Sequence, residues 1–193
     1  MRSYAANLSV KDKIEATVEE LLKYAAKDAT IDHVVFTAGN VPPMAPLAES
    51  SFEHVDAFLT VRFYGALAIG KYAHKYITPA KTSSITFTSG SQARQPLSWL
   101  PPIIGNVVEG LMKGLAVTLA PVRVNVVAPG FIITELLEKL PKEMAHASVK
   151  AKAKSLTKDN GSPDDTSEAY LYFMKDSFVT GVVLDTNGGV FFS

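Results

Sequence analysis

Residues 114–137 read GLAVTLAPVRVNVVAPGFIITELL, and this stretch decides the fold. Its middle part, VRVNVVAPG at residues 122–130, is rich in β-branched valine and stops at a Pro-Gly pair. Such a pattern is typical of a strand that ends in a turn. The segment ahead of it carries the small residues Gly110, Gly114 and Ala116, which would let a helix pack closely. The stretch therefore predicts a helix, a strand and a turn, in that order.

The same alternation of helix and strand continues on both sides. Apolar residues recur at helical spacing through residues 10–25. Helices are also predicted at about residues 51–77, 106–119 and 162–176, and a polar, helix-prone stretch runs to about Lys158. Strands are predicted at IDHVVFTAGN (31–40), SSITFTSG (83–90) and GVVLDTNGG (181–189). This order predicts an α/β fold with a parallel sheet, in which ligands bind beyond the carboxyl ends of the strands.

The composition excludes several classes of function. The 193 residues suffice for one domain with a core, and the formal net charge is zero, so neither nucleic acid nor a membrane is expected as a partner. With no cysteine and four scattered histidines, neither a disulfide nor a metal site is predicted. No apolar run approaches about 20 residues and the start lacks a signal-peptide pattern, so we expect a soluble, cytoplasmic protein.

Several segments resemble one known family. IDHVVFTAGN is similar to the fourth strand and Asn-Asn-Ala-Gly turn of the short-chain dehydrogenase/reductase family. GLAVTLAPVRVNVVAPGFIITELL is similar to the family's sixth-strand region, and SFVTGVVLDTNGG (177–189) to its last strand and turn. The resemblance extends from Arg2 to Gly189. It implies a Rossmann-like, doubly wound parallel sheet, NAD(P) as cofactor, a small-molecule substrate and a homo-oligomer.

The amino-terminal part departs from the family pattern. Family members begin with two strands around a glycine-rich turn that holds the dinucleotide pyrophosphate, whereas Gly39 is the first glycine of this chain. The resemblance therefore implies that residues 1–193 form a single truncated domain whose first two strands are missing. Residues 2–7, RSYAAN, match the family's third strand. We expect them to pair inward with the strand at residues 31–40; the alternative is an open sheet edge.

The catalytic positions of the family carry other residues in this chain. The family uses an Asn, a Ser and a Tyr-x-x-x-Lys pair. Arg62 stands at the Asn position, and Gly90, between Ser89 and Ser91, stands at the Ser position. The Tyr and Lys positions hold Pro101 and Gly105, or Ile103 and Val107 if the match shifts by two residues. None of these supplies the phenol and the ammonium that the usual proton relay needs.

Arg62, Ser89 and Ser91 are therefore the candidate catalytic residues. Arg62 could bind a carboxylate, an enolate or a phosphate. Ser89 or Ser91 could replace the family's catalytic serine if the alignment shifts by one residue. The run RFYG at residues 62–65 and the Ser-Gly pair after the second predicted strand are similar to a divergent branch of the family. We therefore expect the absence of the family's catalytic residues to be a trait of that branch.

The resemblance also implies which residues would contact a cofactor. Asn7 matches an adenine-contacting position, and Ala38 and Gly39 match the place where the adenosine ribose packs. The nicotinamide-contacting turn is matched by Pro129, Gly130, Ile132 and Thr134. Whether NAD or NADP binds, or neither, depends on whether an adenosine pocket remains. Trp99, within the apolar segment PLSWLPPII (96–104), is expected to line a hydrophobic pocket.

The sequence leaves three explanations open. The first is an oxidoreductase for a small hydrophobic carbonyl or alcohol in secondary metabolism, with an atypical hydride-transfer site, or a non-redox isomerase or cyclase that uses Arg62. The second is an inactive pseudoenzyme that serves as a binding or oligomerisation partner. The third is that the sequence is part of a longer protein that carries the glycine-rich turn. Titration with NADPH separates the first explanation from the second.

Overall fold

The centre of the fold is a parallel sheet of four strands. The structure is a computed structural model, and it describes residues 2–40, 45–134 and 154–193. Within these residues the sheet order is β1-β2-β3-β4, and every neighbouring pair is parallel. The strand bounds are β1 His33–Phe36, β2 Ser84–Thr88, β3 Arg123–Pro129 and β4 Val183–Thr186. The predicted α/β architecture and the four strands predicted within residues 31–189 are confirmed.

Five α-helices are described around this sheet. They are α1 Ile14–Ala25, α2 Phe52–Leu59, α3 Gly65–Ala73, α4 Pro101–Thr118 and α5 Pro163–Lys175. The main core lies on the face that α1, α3 and α4 cover, where Val126 of β3 packs with Met112 of α4. Val127, the next residue of β3, points to the other face and packs with Ala169 and Phe173 of α5. Helices therefore cover both faces, as predicted.

The face of β3 that α5 covers carries two polar side chains beside the apolar cluster of Val127. Arg123 is only 3% exposed, and its guanidinium donates to the carbonyl oxygens of Phe173 (2.6 Å) and Met174 (3.3 Å) at the end of α5. The amide of Asn125 donates to Val179 O (3.0 Å) and accepts from Val182 N (3.1 Å). These bonds fix the connection between α5 and β4, because they satisfy carbonyl groups that the helix leaves unpaired at its end.

The amino-terminal segment is not part of the sheet. Arg2 forms an ion pair with Asp28, and the ring of Tyr4 lies 5.0 Å from the ring of Tyr24. Residues 2–7 therefore lie along α1, and the predicted inward pairing with β1 is wrong. In the described chain β1 has a neighbour on one side only, which is the open-edge alternative.

Two helix predictions are corrected by the structure. The helix predicted at residues 51–77 is divided by a π-helical turn at Thr60–Tyr64, which separates α2 from α3. The helix predicted from residue 106 begins at Pro101, because proline is well tolerated in the first turn of a helix. Most of the helix-prone stretch before Lys158, residues 135–153, lies outside the described residues. Within those residues no helix is both long and apolar enough to cross a bilayer.

Candidate functional site

The turns that follow the four strands lie at one edge of the sheet. Residues 37–40 follow β1, residues 89–91 follow β2, residues 130–132 follow β3 and residues 187–189 follow β4. Because all the strands are parallel, these turns meet at the carboxyl edge, the usual ligand site of an open α/β sheet. All three predicted catalytic residues and most of the predicted cofactor contacts lie on or beside these turns.

Arg62 lies in the π-helical turn and reaches the turn after β1. Its Nη2 donates to the carbonyl oxygen of Asn40 (3.0 Å). A side chain at Gly39 would place its Cβ 2.6 Å from Cζ of Arg62, so the guanidinium occupies the space that glycine leaves free. The ring of Phe58 lies on its other side, 5.6 Å away. π-Helical turns are frequent at functional sites because they redirect a side chain out of the regular helical pattern.

The positive charge of Arg62 is not neutralised within the described chain. No carboxylate there forms an ion pair with it, and its Nε is buried without a hydrogen-bond partner. Burial lowers the pKa of the Arg62 guanidinium, but an arginine remains protonated at physiological pH. A half-buried cation without an anionic partner attracts negative charge, so the carboxyl edge of β1 favours a negatively charged or strongly polarised ligand oxygen.

The two candidate serines differ in their surroundings. Ser89 donates to Glu109 of α4 (2.9 Å), and Arg94 binds the same carboxylate through two nitrogens at 3.1 Å. Arg94 also lies 3.2 Å from Asp185 of β4, and burial raises the pKa of that carboxyl. The Ser89 hydroxyl is thus held against α4. The Ser91 side chain has no hydrogen-bond partner among the described residues, so it is the freer of the two.

The positions that match the family's Ser and Lys differ in the space around them. At Gly90 an added Cβ would have only Pro129 O within reach, at 3.9 Å. At Gly105 an added Cβ would lie 2.5 Å from Cβ of Ala93, which is too close for any side chain. Pro101 is the first residue of α4, and the shifted match, Ile103 and Val107, supplies only aliphatic groups. Neither match provides a phenol or an amine at the site.

One phenol near the carboxyl edge was missed by the sequence reasoning. The Tyr170 hydroxyl of α5 lies 2.7 Å from Oγ1 of Thr88, the last residue of β2. Thr88 in turn donates to Phe36 O (3.0 Å), so the Tyr170 proton is used in the bond to Thr88. Burial raises the pKa of the Tyr170 phenol, which makes it a weaker acid. The only sequence signal was its helical spacing beside the buried Thr166, Ala169 and Phe173.

The predicted cofactor contacts fall into two groups. Ala38, Gly39 and Asn7 lie near the end of β1; Leu8, which follows Asn7, packs near Gly65 together with Phe36. The Asn7 side chain itself is exposed and accepts from Ser9 N (2.9 Å).

The second group lies at the ends of β3 and β4. Pro129 ends β3, Gly130 N donates to Thr186 O (2.9 Å), and Ile132 pairs with Gly161. Thr134 is the last residue described before the gap. Ile132 also lines a cavity of about 440 Å³ that the turn at residues 187–189 borders. The two groups therefore lie at the same edge of the sheet, on either side of the turn after β2.

Comparisons with known proteins agree with this arrangement. The whole chain, residues 1–193, matches a family model described as an SDR-like Rossmann domain. The short-chain dehydrogenase/reductase malC of Malbranchea aurantiaca is 38% identical over 193 residues, with 98% of this chain and 73% of that protein covered. The solved structure of the MalC Reductase/Diels-Alderase from the same organism gives a TM-score of 0.92 at 39% identity, covering 100% of this chain and 74% of that one.

A second solved structure is informative about ligands of such folds. A small-chain dehydrogenase in complex with NADPH gives a TM-score of 0.87 at 26% identity, covering 98% of this chain and 84% of that one. The predicted Rossmann-like fold class is confirmed by these matches together with the observed parallel sheet.

Proposed function

Since this chain belongs to the short-chain dehydrogenase/reductase family, we propose that it is an NADP(H)-dependent reductase of a small hydrophobic carbonyl compound in secondary metabolism. The observation that carries the proposal is the half-buried Arg62 guanidinium, which lies against the Gly39 turn without a carboxylate partner in the described chain. In this proposal Arg62 takes the place of the phenol and ammonium of the family relay. It stabilises negative charge on the substrate oxygen instead of delivering a proton.

The carboxyl edge has polar atoms that fit a dinucleotide. Nε of Arg62 and Oδ1 of Asn40 are buried without partners beside β1, and Nδ2 of Asn187 is buried without a partner beside β4, all within the described residues. A cofactor rich in hydroxyl and amide groups would satisfy such donors and acceptors. When bound, it would supply the hydride. Ala38 and Gly39 would face its adenosine end, and Pro129, Gly130, Ile132 and Thr134 its nicotinamide end; Asn7 stays a predicted adenine contact.

The residues of the chain would bind and polarise the substrate. The N–H groups of Arg62 donate to the substrate oxygen, and these bonds strengthen as negative charge grows on that oxygen. Ser91 Oγ is free to donate a second hydrogen bond, whereas Ser89 is held by Glu109. Neither group is acidic enough to act as the proton donor, so water protonates the product oxygen. The pH dependence of such a site lacks the ionisation of a catalytic tyrosine.

The loops around this edge favour an apolar substrate. Trp99 donates from its indole nitrogen to Ala45 O (3.2 Å), which joins the loop ahead of α4 to the loop after β1. Leu47 and Leu97 on these two loops are 66% and 71% exposed. Both loops follow the carboxyl ends of strands, so these side chains lie on the site side of the sheet. A rim of leucine and tryptophan binds hydrophobic rings better than charged metabolites.

A second candidate function is a non-redox cyclisation or isomerisation. The relative with 39% identity carries the name Reductase/Diels-Alderase, so one protein of this kind is credited with both types of chemistry. A guanidinium that binds the carbonyl oxygen of an unsaturated carbonyl compound lowers the energy of its lowest unoccupied orbital, which speeds a cyclisation without any proton transfer. Arg62 would serve that step as well as it serves reduction. An inactive binding partner remains the alternative if no ligand binds.

Titration with NADPH tests the cofactor part of the proposal. Trp99 is the only tryptophan, and it stands beside the site, so its emission should fall and the nicotinamide emission should rise in a saturable manner. Oxidation of NADPH in the presence of hydrophobic ketones or aldehydes then identifies the reductase. Conversion of a substrate without NADPH oxidation would support the second candidate. No change in Trp99 emission at millimolar NADPH would contradict the cofactor proposal.

We further propose a homo-oligomer that forms through the outer face of α3 and α4. Val117 of α4 is 81% exposed, Ile103 is 37% exposed and Leu67 of α3 is 39% exposed. Gly110 and Gly114 on the same side of α4 have no atom near their Cβ positions. Light scattering should give a dimer or larger assembly that Val117→Lys dissociates; a monomeric parent chain would contradict the proposal. From the sequence we also propose that residues 1–193 form a single domain and that the protein is cytoplasmic.

A further inference from the structure

The chain contains two Asn-Gly pairs, Asn160–Gly161 and Asn187–Gly188. In such a pair the backbone nitrogen of glycine can attack the side-chain carbonyl carbon of asparagine, because glycine has no Cβ to obstruct the ring that forms. The attack needs a backbone N–H that is not engaged elsewhere and an amide group that is free to leave. These conditions are met at Asn187–Gly188 and are not met at Asn160–Gly161.

The Asn160–Gly161 pair is held by backbone hydrogen bonds. Gly161 N donates to Phe131 O (3.1 Å), and Gly161 O accepts from Ile133 N (2.9 Å). An added Cβ on Gly161 would lie 2.5 Å from Cδ1 of Ile132, so this glycine is also tightly packed. The nitrogen that would attack is therefore committed as a donor, and its backbone is fixed on both sides.

The Asn187–Gly188 pair differs at the attacking nitrogen. Gly188 is as tightly packed as Gly161, since an added Cβ would lie 2.4 Å from Oγ of Ser155. Gly188 N has no acceptor among the described residues. Oδ1 of Asn187 accepts from Gly189 N (2.9 Å), which draws electrons from the side-chain carbonyl carbon. Nδ2 of Asn187 is buried without a partner, so no hydrogen bond in the described chain retains it. At this pair the attacking nitrogen makes no hydrogen bond in the described chain, the side-chain carbonyl is polarised, and the leaving nitrogen has no hydrogen bond to break.

We propose that Asn187 is a site of spontaneous deamidation and that Asn160 is protected from it. Gly188 N loses its proton to solvent hydroxide and bonds to Cγ of Asn187; the Cγ–Nδ2 bond breaks, and Nδ2 leaves as ammonia with a proton from water. Water then opens the cyclic imide at either carbonyl, which gives aspartate or isoaspartate at residue 187. Nothing is oxidised or reduced in these steps, and water is the only co-reactant.

The modified residue would lie at the carboxyl edge. An added Cβ on Gly130 would lie 2.7 Å from Cα of Asn187, so the two turns are in contact. Deamidation places a carboxylate beside the Pro129–Gly130 turn. Isoaspartate also lengthens the main chain ahead of Gly188, whose carbonyl oxygen accepts from Leu156 N (2.8 Å). The reaction therefore changes both the charge of the site and the wall of the 440 Å³ cavity.

Mass spectrometry of the aged protein tests this inference. Cleavage after lysine places Asn160 in the peptide of residues 159–175 and Asn187 in the peptide of residues 176–193, so each conversion is measured separately. After incubation of the folded chain at mildly alkaline pH, the deamidated fraction at Asn187 should exceed that at Asn160 several-fold. Most of the isoaspartate product should therefore be found in the peptide of residues 176–193.

Two controls assign the selectivity to the fold. In urea both pairs are free, so their rates should become similar. When the folded Asn187→Gln variant is aged, its peptide of residues 176–193 should stay unmodified, because glutamine closes the corresponding ring far more slowly. Equal rates in the folded chain, faster conversion at Asn160, or a folded Asn187 that stays intact while the urea sample converts would each overturn the inference.

Discussion

Replacing Arg62 by methionine is expected to lower the turnover of the reaction about 100- to 1000-fold, the usual loss when a preorganised donor to a developing oxyanion is removed. The stability of the folded chain should stay within about 1 kcal/mol of the parent or rise, since a buried charge is replaced by an apolar group of similar length. The lowered pKa of the guanidinium reports the same penalty of burial. Thermal unfolding and substrate turnover are measured on the same preparation.

A residue that served only to hold the fold would behave differently. Removing it would lower the unfolding midpoint, and activity would follow stability. Lys71→Met is the matched control, because Lys71 lies on α3 in an exposed ion pair with Glu15 (2.6 Å). This variant should keep full turnover and lose at most about 1 kcal/mol of stability. If Arg62→Met is strongly destabilised and retains its turnover per folded molecule, the assigned role is wrong.

Introducing lysine at Gly105 is expected to destabilise the chain by at least about 1–3 kcal/mol, the cost of overpacking a filled contact. The new Cβ would meet Cβ of Ala93 at 2.5 Å and its Cα at 3.2 Å, so the turn after β2 would have to move away from α4. Gly105→Lys should therefore lower the midpoint of urea unfolding. It should not create the family relay.

Gly90→Ser is the matched comparison, since it restores the family residue at a position with space. Gly90 has an extended backbone with φ near −177°, and its Cβ would have only Pro129 O nearby, at 3.9 Å. We expect a change in stability within about 0.5 kcal/mol, as for most substitutions without a steric conflict. If Gly105→Lys were as stable as Gly90→Ser, the contact between α4 and Ala93 would not be the barrier that we describe.

The sheet was predictable because each strand is a short segment that contains β-branched residues and is followed by a turn. The strands β2 and β3 are buried on both faces, and their β-branched residues therefore occur on both faces as well. The π-helical turn at Thr60–Tyr64 was not predictable, since it depends on a shift in hydrogen bonding and not on composition. Residues 2–7 were misassigned because their contacts with α1, such as Tyr4 with Tyr24, involve positions far apart in sequence.

The candidate site was predictable in part. Arg62 was found from its place in the helix after β1, but its lack of a counter-ion is a property of the folded chain. The sequence could not separate Ser89 from Ser91, because the partner of Ser89 is Glu109 on the following helix. Tyr170 was missed for the same reason; only the fold brings α5 to the end of β2.

The proposed function depends on the positive charge of Arg62, with which no carboxylate in residues 2–40, 45–134 and 154–193 forms an ion pair. The most direct test of this dependence is a titration with benzoate, a hydrophobic carboxylate, followed through the emission of Trp99 in the parent chain and in Arg62→Met. We predict saturable quenching in the parent and at least about tenfold weaker binding in the variant, as expected for the loss of one charge-assisted contact. Equal affinities in the two proteins, or no benzoate binding to the parent, would contradict the account.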